Sequence, residues 1–547
     1  MHHHRGISRF VLLGLAATLP ACSGRGSVLE SRHNGPKTGE AGSGGSTGAP
    51  DAADLMSDGS ARQPEIAPLS GSRVAVVGWM EGSTFLRVKG LRDKQRDVTC
   101  VLDLAEDGRQ RCLPIAEGLV SYRDSACHDP IVMQKPDPFC GLEPLPAYAT
   151  YRAGPVCPIP RVHVVRPGAS ADPPEKVYGW DNLGACVEQT LYGGERFFDA
   201  VPSPATDWVA FERELTKVTS DIGVETWAGE DGSRVQGDLR LLPQDIACGP
   251  NEPGSSESAS VEARSRCIPT EQGYEATTSF FEDGTCSSPV TMTPECHPLR
   301  VIVKRDDVPG PCPQTAVTYF DVGKQVANSK VQTNILGPCQ PAEAILTGSI
   351  CYSRGAPIDV TQYPLVDTRP RGSGLLQGLF WQSGGQWLIP ADIAFARDAR
   401  SGELCELWPF ADGAQRCAFS AGTTSETYFA DPGCKQGLYA RYVPSDQEIA
   451  CGVPIALPRW VEKRLSPSGM CLGAAGVLDV RSVLSVHSGP VYSITYGSAG
   501  GGACSPLDES KLPTSGNTSM PARMTFYDLS DPVDPSTLFV EVTTAEL

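Results

Sequence analysis

The sequence predicts an all-β protein made of three tandem, cysteine-rich copies of one module. Three observations carry that prediction. A short phrase around an aspartate and a cysteine is written three times, the cysteines fall into three parallel ladders of six, and strand-like segments are punctuated throughout by the 47 prolines and 57 glycines.

The repeated phrase is "SYRDSAC" at 121–127, "SFFEDGTC" at 279–286 and "TYFADPGC" at 427–434. Each places Asp-x-x-Cys behind one or two aromatics: Asp124/Cys127, Asp283/Cys286 and Asp431/Cys434. Upstream, Trp79, Trp227 and Trp381 each precede a glycine-containing turn and stand 21, 21 and 24 residues before the next cysteine. The first ladder is Cys100, Cys112, Cys127, Cys140, Cys157 and Cys186; the second is Cys248, Cys267, Cys286, Cys296, Cys312 and Cys339; the third is Cys405, Cys417, Cys434, Cys451, Cys471 and Cys504. Each copy ends in a related block: "RFFDAVPSPATDWVAFE", "ICYSRGAPIDVTQYPLVD" and "FYDLSDPVDPSTLFVEV". Several motifs holding the same phase indicate triplication. In an exported chain the ladders predict about nine disulfides, each closed within its own copy. Cys351 is left unpaired, at a position where the sister blocks carry aromatics, which predicts a buried thiol in an apolar slot.

A second phrase, "RQRCLP" at 109–114, returns as "AQRCAF" at 414–419, and both follow Asp-Gly, at Asp107-Gly108 and Asp412-Gly413. Asp-Gly between apolar segments is a hairpin signal. The second copy replaces it with the polar insertion 249–266, which a surface hairpin tip tolerates. The first two cysteines of each ladder are therefore expected on adjacent antiparallel strands.

Segments such as "TFLRVKGL", "VTCVLDL", "RVHVVRPG", "VTYFDVG" and "VYSITYG" are short, β-branched or aromatic, and bounded by turn residues. The one helical alternative, 207–218, has its apolar residues Trp208, Val209 and Phe211 bunched at one end, which disfavours it. The divisions read as a leader at 1–21, a tether at 22–70, and β repeats at 71–206, 207–371 and 372–547. Two arrangements fit them: one six-bladed β-propeller with the Trp positions packed between blades, or three consecutive β-sandwiches.

In the leader, Arg5 and Arg9 precede the apolar run Phe10–Leu19, which is too short to span a bilayer. It stops at Leu19-Pro20-Ala21-Cys22. That end resembles the lipobox of bacterial lipoproteins, Pro20 being its one departure, and implies acylation of Cys22 and anchoring in a membrane. Ser23 after the cysteine implies the outer membrane of a double-membrane bacterium. The following stretch is rich in Gly, Ser and Pro, lacks aromatics and reads as a flexible tether. Lipobox, tether, Asp-Gly-x-x-Arg-Cys, aromatic-x-Asp-x-x-Cys and the "YFDVG" phrase at 319–323 together resemble a cysteine-rich repeat family of exported myxobacterial proteins with no established function.

The formal net charge of −18, made more negative by removal of the leader, argues against a nucleic-acid partner. No C-x-x-C occurs, which argues against zinc and thioredoxin-type sites. The G-x-S-x-G match at Gly44–Gly48 has no strand before it and no helix after it, so it is no nucleophile elbow. Asp124, Asp283 and Asp431 share one setting in every copy, as turn-forming residues do and catalytic carboxylates rarely do. His128 and His297 follow ladder cysteines whose sulfurs are expected in disulfides. The sequon Asn517-Thr518-Ser519 is discounted in a bacterial setting. The reading therefore names no catalytic, cofactor-binding or metal-binding residue and no cofactor. Three classes of function stay open: a surface binding module for a protein or glycan, an extracellular hydrolase with its site on unrepeated loops, and a structural envelope component.

A fatty-acid analogue fed to expressing cells should label the wild type, and Cys22→Ser should abolish the label. Equal labelling of both chains would remove the lipoprotein reading.

Overall fold

The computed structural model describes residues 67–547 apart from 116–119, 138–140, 143–144, 153–160, 181–184, 192, 252–263, 275–279, 295–298, 309–313, 335–337, 343–348, 391–394, 403, 411–413, 420–427, 443–459, 466–476, 497–501 and 508–523. The leader, Cys22, most of the tether and Gly44–Gly48 thus lie outside the described residues. Leu69 and Ser70, read as the end of the tether, already belong to the fold: Leu69 forms a bridge with Arg234, and the Ser70 N–H donates to the Leu547 carbonyl at 2.8 Å.

The fold is all-β, and the strands that the three copies have in common join into one sheet. Copy 1 supplies β1 (Val74–Glu81), β2 (Thr84–Asp93), β3 (Val98–Leu104) and β4 (Gln110–Pro114). Then β5 (Ala210–Lys217) leads into copy 2, with β6 (Ile222–Gly229), β7 (Arg234–Leu241), β8 (Ile246–Asn251) and β9 (Arg264–Pro269). In the same way β10 (Leu365–Arg371) leads into copy 3, with β11 (Leu376–Ser383), β12 (Gln386–Pro390), β13 (Phe395–Asp398), β14 (Leu404–Pro409) and β15 (Gln415–Phe419). The last strand, β16 (Glu541–Glu546), lies between β15 and β1.

Hydrogen-bonded neighbours follow chain order from β1 to β11, and β13 to β16 continue from β11 back to β1. Because β10 pairs with both β9 and β11, the order returns to its start. The copies are therefore not six separate blades, nor three self-contained sandwiches. The Trp positions do pack between copies, for a reason given below. Every ladder of the cycle is antiparallel, and the cycle has an odd number of members, so its strands must bend. Register shifts supply bends at the same place in each copy, beside Trp79, Trp227 and Trp381.

The segment 207–218 shows why a helix fails there. Ala205–Asp207 is a single 3-10 turn, and β5 then enters the ring with Ala210 and Phe211 buried and most of the remainder exposed. The apolar bunching marks the point where a strand plunges between neighbours. Equivalent turns, Val360–Gln362 and Pro535–Thr537, precede β10 and β16. Asp359 and Asp534 cap them by accepting from the Thr361 and Ser536 N–H groups.

The core is threefold and cyclic. The Cys100–Cys112 disulfide packs with Val74, Val76 and Phe211 against Trp227 of copy 2. Cys248–Cys267 packs with Ile222, Val224 and Val366 against Trp381 of copy 3. Cys405–Cys417 packs with Leu376 and Val542 against Trp79 of copy 1. Each copy thus lends its tryptophan to the copy before it, and copy 1 lends to copy 3.

Between the ring's fourth strand and the next 3-10 turn, each copy makes an excursion. In copy 1 it is a seven-stranded sheet ordered Cys186–Gln189, Val177–Trp180, Val120–Tyr122, Pro130–Gln134, Arg196–Ser203, Val162–Ala171 and Ala149–Arg152, with a small two-stranded sheet of Pro136–Asp137 and Gly141–Leu142 beside it in sequence. Copy 2 makes a five-stranded and a three-stranded sheet, and copy 3 a four-stranded and a three-stranded one.

A chain ending at Val540 lacks β16 and leaves β1 and β15 with open edges. Its thermal melt, followed by circular dichroism, is expected to lose cooperativity or shift down by at least about 10 °C, given a loss of several kcal/mol. An unchanged melt would mean that the cycle does not hold the fold.

Candidate functional site

The Asp-x-x-Cys turns are the most repeated polar feature. The Asp124 carboxylate accepts from the N–H groups of Ala126 (2.8 Å), His128 (3.0 Å) and Asp129 (2.5 Å). Asp283 accepts from those of Thr285, Ser287 and Ser288, and Asp431 from those of Gly433, Lys435 and Gln436. The backbone donors hold Asp124 and Asp431 below the usual carboxylate range, led by Asp129 N–H and Gln436 N–H respectively. Asp283 is also lowered, first by the Thr285 hydroxyl. A carboxylate spent on three backbone donors organises a turn and is no general acid. The cysteine three residues on is forced to positive φ in every copy, at 55°, 53° and 50°. There its N–H donates to the Asp carbonyl and its sulfur meets the last cysteine of the ladder: Cys127–Cys186, Cys286–Cys339 and Cys434–Cys504.

The Arg-Cys phrase is a joint. Cys112, Cys267 and Cys417 bridge to the preceding strand, as expected of a hairpin, and all six described disulfides stay within one copy. Their N–H groups donate to Val209, Pro364 and Val540, the residues just before β5, β10 and β16, at 3.1, 3.0 and 3.1 Å. The neighbouring arginine tightens the same junction. Arg111 donates to the Trp208 carbonyl, and Arg266 donates to the carbonyls of Thr361 and Tyr363. Arg416 lies over the Phe410 ring and 3.9 Å from Glu541. Repetition of this phrase is visible in the sequence but its partner is not, being 97, 97 and 123 residues away in the three copies.

The remaining ladder cysteines, Cys140, Cys157, Cys296, Cys312, Cys451 and Cys471, lie outside the described residues, as do His297, Asp412-Gly413 and Asn517-Thr518-Ser519. His128 is exposed on the first Asp turn. Among the described residues no group of three His, Cys, Asp or Glu side chains is placed to hold a metal ion. Two His–carboxylate pairs that sequence reading did not single out are present. His163 Nδ1 lies 3.0 Å from Glu106, its ring stacked on Tyr151, and His487 Nδ1 lies 2.8 Å from Asp528. Both join excursion strands to nearby structure. The surface of the copy 1 excursion carries a shallow depression bounded by Glu175, Lys176, Glu188, Gln189, Thr190 and Leu191, with Lys176 and Glu188 paired at 2.9 Å.

Cys351 is a free thiol and fully buried. It pairs across the sheet with Met292, as Phe197 pairs with Met133 in copy 1 and Phe526 with Ala440 in copy 3. It therefore fills the slot that aromatics fill in the sister copies, among Phe280, Val290, Val326, Val331 and Ala342. Burial pushes the thiol up to about 11.

With these features in place, the chain can be classed as an exported-type, disulfide-stapled β repeat protein: six disulfides form and persist in an oxidising compartment. No helix among the described residues is long and apolar enough to cross a membrane. The chain belongs to a family of unknown function, DUF7481, whose model matches residues 65–497. No curated protein and no solved structure matches it.

A thiol reagent should leave Cys351 unlabelled in the folded chain and label it fully after denaturation, as read by peptide mapping. The raised pKa means that the folded state keeps its proton while the unfolded thiol loses it. Stability from this group is thus complete below about pH 8.5 and falls as the pH rises toward about 11. Cys351→Ala should abolish that alkaline loss and cost about 1 kcal/mol at neutral pH through the small cavity left. Rapid labelling of the folded chain would contradict the burial argument.

Proposed function

We propose that this protein is an envelope or cell-surface binding module, anchored through lipid on Cys22, that presents variable connecting loops on a threefold scaffold. One observation carries the reading: the strands, turns and disulfides recur in all three copies, and the copies differ chiefly in the connections between strands. Ring strands, bulge, tryptophan, Arg-Cys joint and 3-10 turn recur three times, and each excursion repeats one three-stranded and one four-stranded ladder, fused into seven strands in copy 1 and extended by Gln272–Tyr274 in copy 2. The connections differ: copy 2 carries the insertion 249–266 in place of an Asp-Gly tip, and the copy 3 excursion, 420–534, is longer than 115–204 and 270–359. A scaffold held constant beneath differing loops is the arrangement binding proteins use. The ligand is a protein or a glycan, and the outer membrane or cell surface is the proposed location, from the leader's lipobox-like end and Ser23. The resemblance to exported myxobacterial repeat proteins supports the same placement.

The test is a glycan and peptide array probed with the chain from residue 67 onward, run beside a generic hydrolase panel. Saturable binding that substitutions in the copy-specific loops weaken, without turnover, is the expected result. Turnover of any glycan or peptide would favour a hydrolase instead. Binding unaffected by every variant in those loops would remove this reading.

A further inference from the structure

The three copies repeat one joint at which a copy's first hairpin tip meets the start of another copy's first strand, so each joint is a control for the other two. At the first joint, the Asp231 carboxylate, in the β6–β7 tip, accepts from the N–H groups of Arg73 (3.0 Å) and Val74 (2.6 Å) at the start of β1. Backbone bonds add to it: Ser72 N–H donates to the Asp231 carbonyl, and Leu69 and Arg234 exchange both of theirs. At the second, Glu81 at the β1–β2 tip accepts from the N–H groups of Leu375 and Leu376 at the start of β11, both at 2.9 Å. The glycines on that side permit close approach. A Cβ on Gly378 would lie 2.5 Å from the Leu86 carbonyl oxygen.

The third joint brings the β11–β12 tip to the start of β6. Gly384 comes within contact distance of Thr219, since a Cβ there would lie 3.8 Å from its methyl group. The tip reads Ser383-Gly384-Gly385-Gln386 and contains no carboxylate. The N–H groups of Asp221 and Ile222, which correspond to those of Arg73 and Val74, donate instead to Thr219 Oγ1 of their own copy, at 3.3 and 3.0 Å. Apart from the Ser383 hydroxyl, which donates to the Leu365 carbonyl at 2.7 Å, what crosses this joint is apolar: Trp381, Leu388 and Ile389 against Ile222, Val224 and Leu239. Trp227 and Val235 pack across the first joint, and Trp79 and Leu86 across the second, so apolar packing is common to all three and the charge-assisted tie is what the third lacks.

We infer that the ring opens first between copies 2 and 3, at the joint of the β11–β12 tip with the start of β6. Hydrogen bonds to a carboxylate are directional and fix two strands in register, whereas apolar contacts tolerate sliding. Local openings of a native protein begin where such ties are fewest. Both ends of the copy 2 excursion, β9 and β10, reach this same joint, since Cys267 and Val366 share its apolar cluster. The inference rests on the ring alone and does not depend on a binding role.

Native-state hydrogen exchange, read on peptides covering 71–77, 218–224 and 373–379 and corrected for intrinsic rates, tests it directly. The 218–224 segment should exchange about tenfold faster than the other two. Asp231→Asn and Glu81→Gln should each raise exchange at their own joint, 71–77 and 373–379 respectively, toward that of the third. Wild-type exchange that is equal at all three joints, or slowest at 218–224, would overturn the inference, and that comparison holds even if a variant fails to fold. Selective acceleration at the matching joint supports it. Acceleration spread evenly over all three segments would count against carboxylate ties as the deciding difference.

Discussion

The structure depends on one hydrogen bond made three times: the N–H of the second ladder cysteine to the carbonyl of the residue that introduces the next ring strand. Cys112 to Val209, Cys267 to Pro364 and Cys417 to Val540 return a long excursion to the ring at the correct register. The same cysteine is covalently tied to the preceding strand, so the acceptor carbonyl docks onto a rigid ladder. By chain-entropy reasoning the 12-residue Cys100–Cys112 loop contributes about 3 kcal/mol and the 59-residue Cys127–Cys186 loop about 4 kcal/mol. The short bridges therefore matter as much for placing the joint as for overall stability. The long ones limit the freedom of the excursions.

From this joint the rest follows. Once β5, β10 and β16 are returned beside β4, β9 and β15, each lies next to the first strand of the following copy, and the sheet continues across the copy boundary. The tryptophan ahead of each first hairpin then faces the preceding copy's disulfide. No copy completes its own apolar cluster. The ring therefore closes only when β16 reaches β1.

Much of this was legible in the sequence. Strand character, the triplication, the Asp-Gly hairpin at Asp107-Gly108, the pairing of the first two cysteines in each ladder and the aromatic-equivalent slot of Cys351 all depend on residues close in sequence or on comparison between copies. Repetition alone could not show how the copies meet. A propeller and a row of sandwiches require the same alternating strands, and the choice of a continuous ring turns on where Val209, Pro364 and Val540 send their carbonyls. Binary pattern carries no record of such a bond. Likewise Glu81 and Asp231 read as ordinary turn acids, and only their distance to another copy's backbone gives them a role.

The turn aspartates show where repetition constrains function. A group triplicated with its scaffold must serve something that every copy needs, and Asp124, Asp283 and Asp431 each spend their carboxylate on three backbone donors. Those bonds hold the carboxylates ionised, as suits a turn-former and not a general acid, and the turn holds the cysteine three residues on in a left-handed conformation. Under the binding role proposed above, a ligand is met by residues that differ between the copies, in the connecting loops and at the excursion positions where the copies diverge. Cys351 illustrates the freedom available there. At one position of one fold the chain carries Phe197, Cys351 and Phe526, so even the buried layer of an excursion tolerates a change of shape that the ring's own Trp and Cys positions do not show.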